Sequence, residues 1–191
     1  MVDNFPSCAA FTYAWEGGYS FVPNDPGNWT GGALNVGSLA GTNLGVSAPV
    51  WAAWTHAAVT PAIMRALTRA DTDPLYMAWY WLPVRGPELP LPIALMVYDF
   101  AVNAGVRESI RELETALGTP PDGMIGPNDL AAVATLTDMQ AALQAIFTAH
   151  DAHYRANASF GIFGAGWENR LRACLTQSKH WAAMTAASVG C

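Results

Sequence analysis

The sequence predicts a mainly α-helical protein with one irregular insertion near its N-terminus. Over most of the chain, apolar residues recur at helical spacing, and glycine or proline marks the limits of the apolar segments. Between residues 19 and 47 this period is lost, and Gly, Asn and Pro become frequent. A chain of 191 residues can bury a sizeable core as one domain, or as one domain with a small appendage.

The first half is predicted to contain four helices around this insertion. A short helix over residues 5–15 should end at Gly17-Gly18, because glycine commonly terminates helices. The insertion, residues 19–47, should form a long loop or a small hairpin, and loops of that length are usually functional. Further helices are predicted over residues 49–58, 61–70 and 73–82, followed by a proline-rich connector over residues 83–92.

The second half is predicted to be helical, with turns between its helices. An apolar helix should cover residues 93–104. Two capping boxes, residues 109–112 and 137–140, and the pair Gly126-Pro127 predict the starts of three more helices. A last helix is predicted over residues 166–187.

Composition excludes several classes of protein. Apolar residues make up 52% of the chain and charged residues 13%, which excludes a disordered, highly charged chain. The 9 basic and 15 acidic residues leave no electrostatic footprint for nucleic acid and no attraction to an anionic lipid surface. The uncharged stretch over residues 26–64 is broken by Gly, Asn and Pro, so no stable membrane insertion is expected. The 8 tryptophans suit stacking on sugar rings.

The cysteines and the N-terminus carry weak signals. Cys8, Cys174 and Cys191 have no metal-ligand spacing, and three thiols are expected, with a bridge between Cys8 and Cys174 as the alternative. The first residues include Asp3 and lack the cationic segment of a secretory signal. We therefore expect a protein that is made in the cytoplasm without a signal peptide.

Two carboxylates near the start of the insertion suggest acid–base chemistry. Glu16 follows the first predicted helix, beside two glycines that leave room for a ligand. A carboxyl that loses water in such a place keeps its proton more readily, as a general acid must. Asp25, in the string Asn24-Asp25-Pro26-Gly27, supplies a second carboxylate, and such pairs hydrolyse glycosides. The alternatives are a surface acid for Glu16 and a turn residue for Asp25.

Several short motifs follow one another along nearly the whole chain. They are Glu16-Gly-Gly-Tyr19, Asn24-Asp25-Pro26-Gly27, Thr30-Gly-Gly, Tyr80-Trp81, and residues 98–105, 117–127 and 166–170. In this order they resemble glycoside hydrolase family 108, the lysozyme-like N-acetylmuramidases found as phage endolysins and bacterial cell-wall hydrolases. The sequence departs from the family at Asn28, where a second glycine is usual, and in a longer segment before Val46-Ser47.

The resemblance implies a lysozyme-like α-helical fold and cleavage of the β-1,4 bond between N-acetylmuramic acid and N-acetylglucosamine. Glu16 would be the catalytic acid and Asp25 the second catalytic or electrostatic carboxylate. Similarity to phage-type lysozymes adds Thr30 as a residue that helps to hold water or sugar. No metal or organic cofactor is implied, and the expected partner is the glycan strand of bacterial peptidoglycan.

Five further residues are candidates for substrate binding, and for Trp29 and Tyr98 core packing is the alternative. Asp99 and Asn103 are one helical turn apart and can face the same cleft, although Asp99 could instead pair with an arginine. The full substrate-binding set is Tyr19, Trp29, Tyr98, Asp99 and Asn103.

His150 and His153 are expected to be core or solvated histidines, because no third metal ligand accompanies them.

The motifs also predict how the chain is organised. Residues 1–88 would form an N-terminal catalytic lobe and residues 89–191 a C-terminal helical, peptidoglycan-associated lobe, together one compact unit. The alternative functions are a lytic transglycosylase that acts on the same bond and a non-catalytic peptidoglycan-binding protein. The protein would act in the periplasm or cell wall, and it would need a holin or an exporter to reach them.

Overall fold

The computed structural model describes residues 4–189, and of residues 188 and 189 only the backbone. The protein is mainly α-helical with one small antiparallel hairpin, so the predicted lysozyme-like fold class is confirmed. Asp3 and Cys191 lie outside the described residues. In chain order the elements are α1 (Phe5–Trp15), β1 (Thr42–Asn43), β2 (Val46–Ser47), α2 (Ala48–Thr55), α3 (Pro61–Ala66), α4 (Arg69–Tyr76), α5 (Leu91–Ala104), α6 (Val106–Leu117), α7 (Pro127–Ala134), α8 (Met139–Ala156) and α9 (Phe160–Val189).

The described chain forms two compact units, which we call the loop unit and the helical unit. The loop unit comprises residues 12–77, and the helical unit comprises residues 4–11 and 78–189. The predicted division into residues 1–88 and 89–191 therefore differs from the observed grouping, in which the first two turns of α1 join the later helices. The assignment of separate roles to those two predicted lobes stays a prediction.

Helix α5 forms the centre of the helical unit. Residues 93–101 are each at most 4% exposed, as expected for a helix that is apolar on all sides. Helices α6, α8 and α9 pack against it, and α8 also packs against both α6 and α9. The rings of Phe5, Trp81 and Tyr98 meet one another with centroids 5.6–5.9 Å apart. This unit thus owes its stability chiefly to buried apolar surface.

Two helix starts in this unit differ from the predicted capping boxes. Helix α6 begins at Val106, so Ser109 lies inside it, and its buried hydroxyl donates a hydrogen bond of 2.6 Å to the Val97 carbonyl. Helix α8 is capped by Asp138, whose carboxylate accepts a hydrogen bond from the Ala141 amide at 2.9 Å. Ser109 therefore does not cap a helix. Its hydroxyl is buried against α5 and bonds to a carbonyl of that helix, because a buried hydroxyl needs a hydrogen-bond partner.

The helical unit also contains two of the cysteines and Glu168, a residue of the motif over residues 166–170. Cys8 and Cys174 are buried thiols in the helical unit, so the bridge between them is not formed. Burial raises the pKa of Cys174 above its usual range. Helix α9 begins at Phe160, six residues before its predicted start, and within it Glu168 pairs with Arg155 and Arg172.

The loop unit has short helices around the hairpin. The helix predicted over residues 61–70 is two helices, α3 and α4, because Leu67 is not helical and Thr68 starts a new one. The Asp71 carboxylate accepts hydrogen bonds from the Thr68 amide at 2.8 Å and hydroxyl at 2.6 Å. Within residues 4–189, no helix is both long and apolar enough to cross a lipid bilayer.

Candidate active site

Glu16 lies immediately after the last residue of α1. Its amide donates a hydrogen bond of 3.3 Å to the Tyr13 carbonyl, which fixes the first turn of chain beyond the helix. The side chain is half-buried. A Cβ atom added at Gly17 or Gly18 would meet nothing within 4 Å, so the space beside Glu16 is open. The chain directly after Glu16 is therefore uncrowded around these two glycines.

The tip of the hairpin packs against the Glu16 carboxyl group. Strands β1 and β2 pair Thr42 with Ser47 and Asn43 with Val46, which leaves Leu44 and Gly45 as a two-residue turn. Both have positive φ, 53° and 79°. A Cβ atom added at Gly45 would lie 2.6 Å from Oε2 of Glu16 and 2.5 Å from the Tyr76 hydroxyl oxygen. Only glycine at this position lets the backbone approach the carboxyl group so closely.

Helix α4 supports both the hairpin tip and the end of α1. The Leu44 carbonyl accepts hydrogen bonds from the Tyr76 hydroxyl at 3.0 Å and from Nη1 of Arg69 at 3.2 Å. Nη2 of Arg69 donates to the Tyr13 carbonyl at 3.3 Å. The Tyr13 hydroxyl donates to Asp73 at 2.6 Å, and burial together with this carboxylate raises the pKa of Tyr13 above its usual range. The phenol therefore stays protonated near neutral pH and keeps donating to Asp73.

Asp25 occupies an exposed turn next to the base of the same hairpin. Its Oδ1 accepts from the Gly27 amide at 2.9 Å and its Oδ2 from the Asn28 side-chain amide at 3.4 Å. The turn is tied to β1, because the Thr42 hydroxyl donates to the Gly27 carbonyl at 3.3 Å. Asp25 is thus a turn residue, which is the alternative stated for it from the sequence. It also lies beside the hairpin that contacts Glu16.

Thr30 is engaged within the insertion itself. Its Oγ1 accepts a hydrogen bond from the Ser38 amide at 2.9 Å, and its amide donates to the Ser38 carbonyl at 2.9 Å. The hydroxyl that lies beside the Asp25 turn belongs to Thr42, which the sequence reasoning did not select. The available signal was its position two residues before the turn formed by Leu44 and Gly45.

The two aromatic candidates of the loop unit help to shape the insertion. The Tyr19 hydroxyl donates to the Ala40 carbonyl at 3.1 Å, and its ring packs under the Arg65 guanidinium at 4.9 Å. Nε1 of Trp29 donates to the Pro23 carbonyl at 2.8 Å. Both rings are half-buried, so each keeps part of its surface open to a ligand. Trp15, next to Glu16, is 42% exposed and is a further aromatic surface that the sequence reasoning passed over.

The remaining candidates belong to the helical unit. Tyr98 is fully buried in the aromatic core, which favours its packing alternative over contact with substrate. Asp99 is 4% exposed and forms an ion pair with Arg170 at 2.9 Å, so the alternative of a pair with an arginine is the one observed. Asn103 is exposed, and its amide donates to the Tyr154 hydroxyl at 2.6 Å. Two of these three residues are therefore held as parts of the core.

The histidines of α8 also belong to the helical unit. The His150 ring stacks on Phe100 with centroids 3.8 Å apart and is completely buried. His153 contacts Glu112 at 3.2 Å. Among the residues that the structure describes, no group of three or more His, Cys, Asp or Glu side chains could hold a metal ion.

Comparisons with known proteins identify the family. The family model described as Glycosyl hydrolase 108 matches residues 9–105, which are 97 of the 191 residues. The solved structure of Brucella abortus SagA is similar over 92% of this chain and 94% of its own, with 27% identity and a TM-score of 0.76. None of the curated proteins matches. The chain therefore belongs to the glycosyl hydrolase 108 family and is a glycoside hydrolase, which supports a peptidoglycan substrate.

Proposed function

We propose that the protein is a muramidase, which hydrolyses the β-1,4 bond between N-acetylmuramic acid and N-acetylglucosamine in peptidoglycan. The observation that carries this proposal is the setting of Glu16. Its carboxyl group lies against the hairpin tip, and the space around the two glycines that follow it, Gly17 and Gly18, is open. A general acid needs both conditions, a fixed orientation and access to the glycosidic oxygen that it protonates.

Asp25 is the proposed second carboxylate. The Gly27 amide and the Asn28 side chain donate to its two oxygens, and these hydrogen bonds fix the orientation of the carboxyl group. A negative charge there would stabilise the oxocarbenium-like centre, or orient the water that attacks it. Thr42 holds the Asp25 turn on the hairpin through the Gly27 carbonyl. We therefore propose that Thr42, in addition to Thr30, is a threonine that supports this carboxylate.

Sugar binding would rest on stacking and hydrogen bonds. The chain has a net charge of −6, which does not attract the acidic groups of peptidoglycan. Trp15 directly precedes Glu16, and its exposed ring can pack on the apolar face of a sugar. Tyr19 and Trp29 offer smaller half-buried surfaces in the same unit. These three rings are the proposed sugar contacts of the loop unit.

The test is mass spectrometry of the fragments that the protein releases from purified peptidoglycan. Wild type should release hydrated products that end in reducing N-acetylmuramic acid, and Glu16→Gln should release at least about a hundredfold less, as expected when a general acid is removed. Glu108→Gln is the matched control, because it removes an exposed carboxyl group on α6 that pairs only at 3.9 Å with Arg111. Its product yield should equal that of wild type.

Three results would redirect the proposal. Anhydro-muramic products would indicate a lytic transglycosylase, the alternative that needs only one acid–base carboxyl group. Products that end in reducing N-acetylglucosamine would indicate cleavage of the other glycosidic bond. Binding to peptidoglycan without any released product, from wild type and Glu16→Gln alike, would indicate a non-catalytic binding protein.

The place of action is a second part of the proposal. A peptidoglycan hydrolase must meet its substrate in the periplasm or cell wall, and we propose that a holin or a dedicated exporter gives it access, as for a phage endolysin. Expression in bacteria with and without a co-expressed holin tests this. Lysis that requires the holin supports the endolysin role, whereas secretion of active protein without it supports the exporter.

A further inference from the structure

The hairpin turn beside Glu16 contains a strained residue. Leu44 has φ of 53°, in the left-handed region that side chains other than Gly, Asn and Asp rarely adopt. Two-residue hairpin turns with two positive φ values usually carry Asn-Gly, Asp-Gly or Gly-Gly for this reason. A leucine at the first position persists only when surrounding contacts hold it there.

Two side chains of α4 supply those contacts. The Tyr76 hydroxyl and the Arg69 guanidinium both donate to the Leu44 carbonyl, at 3.0 and 3.2 Å. Tyr76 is only 2% exposed, so its hydroxyl is held in place by the surrounding structure. The carbonyl of the strained residue therefore has two donors, and both come from the same helix.

Arg69 also reaches the segment that carries Glu16. Its second terminal nitrogen donates a hydrogen bond to the Tyr13 carbonyl at 3.3 Å. The same carbonyl also accepts a hydrogen bond from the Glu16 amide. The guanidinium lies over the Tyr13 ring, 3.8 Å from its centroid. The Arg69 side chain therefore connects the C-terminal end of α1 with the tip of the hairpin. These two segments meet at the Glu16 carboxyl group.

We infer that Arg69 and Tyr76 are positioning residues, which set the orientation of the Glu16 carboxyl group by holding Leu44 and Gly45 against it. The inference rests on the proposed role of Glu16 as general acid. The close approach at Gly45 leaves the carboxyl group little freedom on that side, so a displaced hairpin tip would displace Glu16 as well. Displacement of a catalytic group by about 1 Å can cost roughly a hundredfold in rate.

The test measures kcat and KM of Tyr76→Phe on soluble glycan strands. This variant removes the hydroxyl donor and keeps the ring that contacts Tyr13. We expect kcat to fall roughly ten- to a hundredfold while KM stays within about twofold, because orientation of the acid matters to the reaction more than to sugar binding. Arg69→Lys should act in the same direction, because lysine lacks the forked guanidinium that reaches two carbonyls.

A second background separates positioning from mere stability. In the Leu44→Gly background the turn no longer needs to be held against strain, since glycine adopts positive φ freely. Tyr76→Phe should therefore cost less than about threefold in kcat there. The matched control is Asp71→Asn, which weakens the cap of α4 without touching the hairpin, and its kcat should stay within about twofold of wild type.

The outcomes are distinguishable from failure of the proposed function. Wild-type kcat in Tyr76→Phe and Arg69→Lys, with Glu16→Gln inactive, overturns this inference alone. An equal cost of Tyr76→Phe in both backgrounds also overturns it, because the effect would then not pass through Leu44. Full activity of Glu16→Gln overturns the proposed function and this inference together. Circular dichroism of each variant checks folding, and Arg69→Lys carries the test should Tyr76→Phe not fold.

Discussion

Different kinds of contact stabilise the interior of the helical unit and the interior of the loop unit. In the helical unit, α5 is buried on all sides among α6, α8 and α9, and apolar contacts dominate. In the loop unit, side chains reach across to backbone carbonyls, as Arg69 and Tyr76 do at Leu44 and Asn43 does at Met64, 2.8 Å away. The difference teaches that the candidate site lies where a few directional contacts, rather than a large core, determine the geometry.

Substitutions should therefore act differently in the two units. A change in the helical unit should lower the free energy of unfolding and leave the rate of the folded enzyme unchanged. A change at the hairpin of the loop unit should lower kcat with little effect on stability.

The largest effect is expected for Arg170→Met in the helical unit. The variant leaves the Asp99 carboxylate buried without its ion-pair partner, and breaking a buried pair in this way costs about 3–5 kcal/mol in the free energy of unfolding. Denaturant unfolding measures the loss. Arg155→Met, which removes an exposed arginine from its pairs with Asp151 and Glu168, should lose much less. Equal losses would contradict the role given to burial.

Gly45→Ala should lower activity by at least about a hundredfold. The new methyl group would collide with Glu16 and Tyr76, and misplacement of the acid should stop most of the reaction. The control is Gly118→Ala in the helical unit, because Gly118 has a similar φ of 73° but open space around it. That variant should lose about 1–2 kcal/mol of stability from backbone strain and keep its kcat. An active Gly45→Ala enzyme would contradict close packing at Glu16.

Thr42→Ala should lower kcat about tenfold, because the hydrogen bond to the Gly27 carbonyl ties the Asp25 turn to the hairpin. Thr42→Ser keeps the hydroxyl and should stay near wild type. Thr30→Ala, which loses a contact internal to the insertion, should have the smaller effect. A larger loss of kcat in Thr30→Ala than in Thr42→Ala would instead indicate that Thr30 supports the Asp25 turn.

His150→Phe should change how stability depends on pH. Complete burial, with a smaller contribution from His153, lowers the pKa of His150 to about 3. Between pH 6.5 and 3 the unfolded chain binds a proton there and the folded protein does not, so stability falls as pH falls, by about 1.4 kcal/mol per unit. Phenylalanine retains the stack on Phe100 and removes this slope. Denaturant unfolding at several pH values measures it, and an unchanged slope would contradict a neutral, buried His150.

Local sequence signals predicted much of the fold. The first helix has the predicted bounds, Phe5–Trp15, and α7 begins at the proline of Gly126-Pro127. Gly118 ends α6 with φ of 73°, as its position after an apolar stripe suggests. These features depend on residues close together in the chain, and their physical causes, proline geometry and glycine freedom, are local too.

By itself, the sequence determined the fold class, the family and Glu16 with Asp25 as the candidate carboxylates, because spaced motifs and helical periodicity are written in residue order. Only the tertiary structure decided what surrounds those carboxylates. The contacts of Arg69 and Tyr76 with Leu44 span 25 and 32 residues, and the pair of Asp99 with Arg170 spans 71. Such pairs form because packing brings distant segments together, and then each buried polar group takes whichever partner lies within reach.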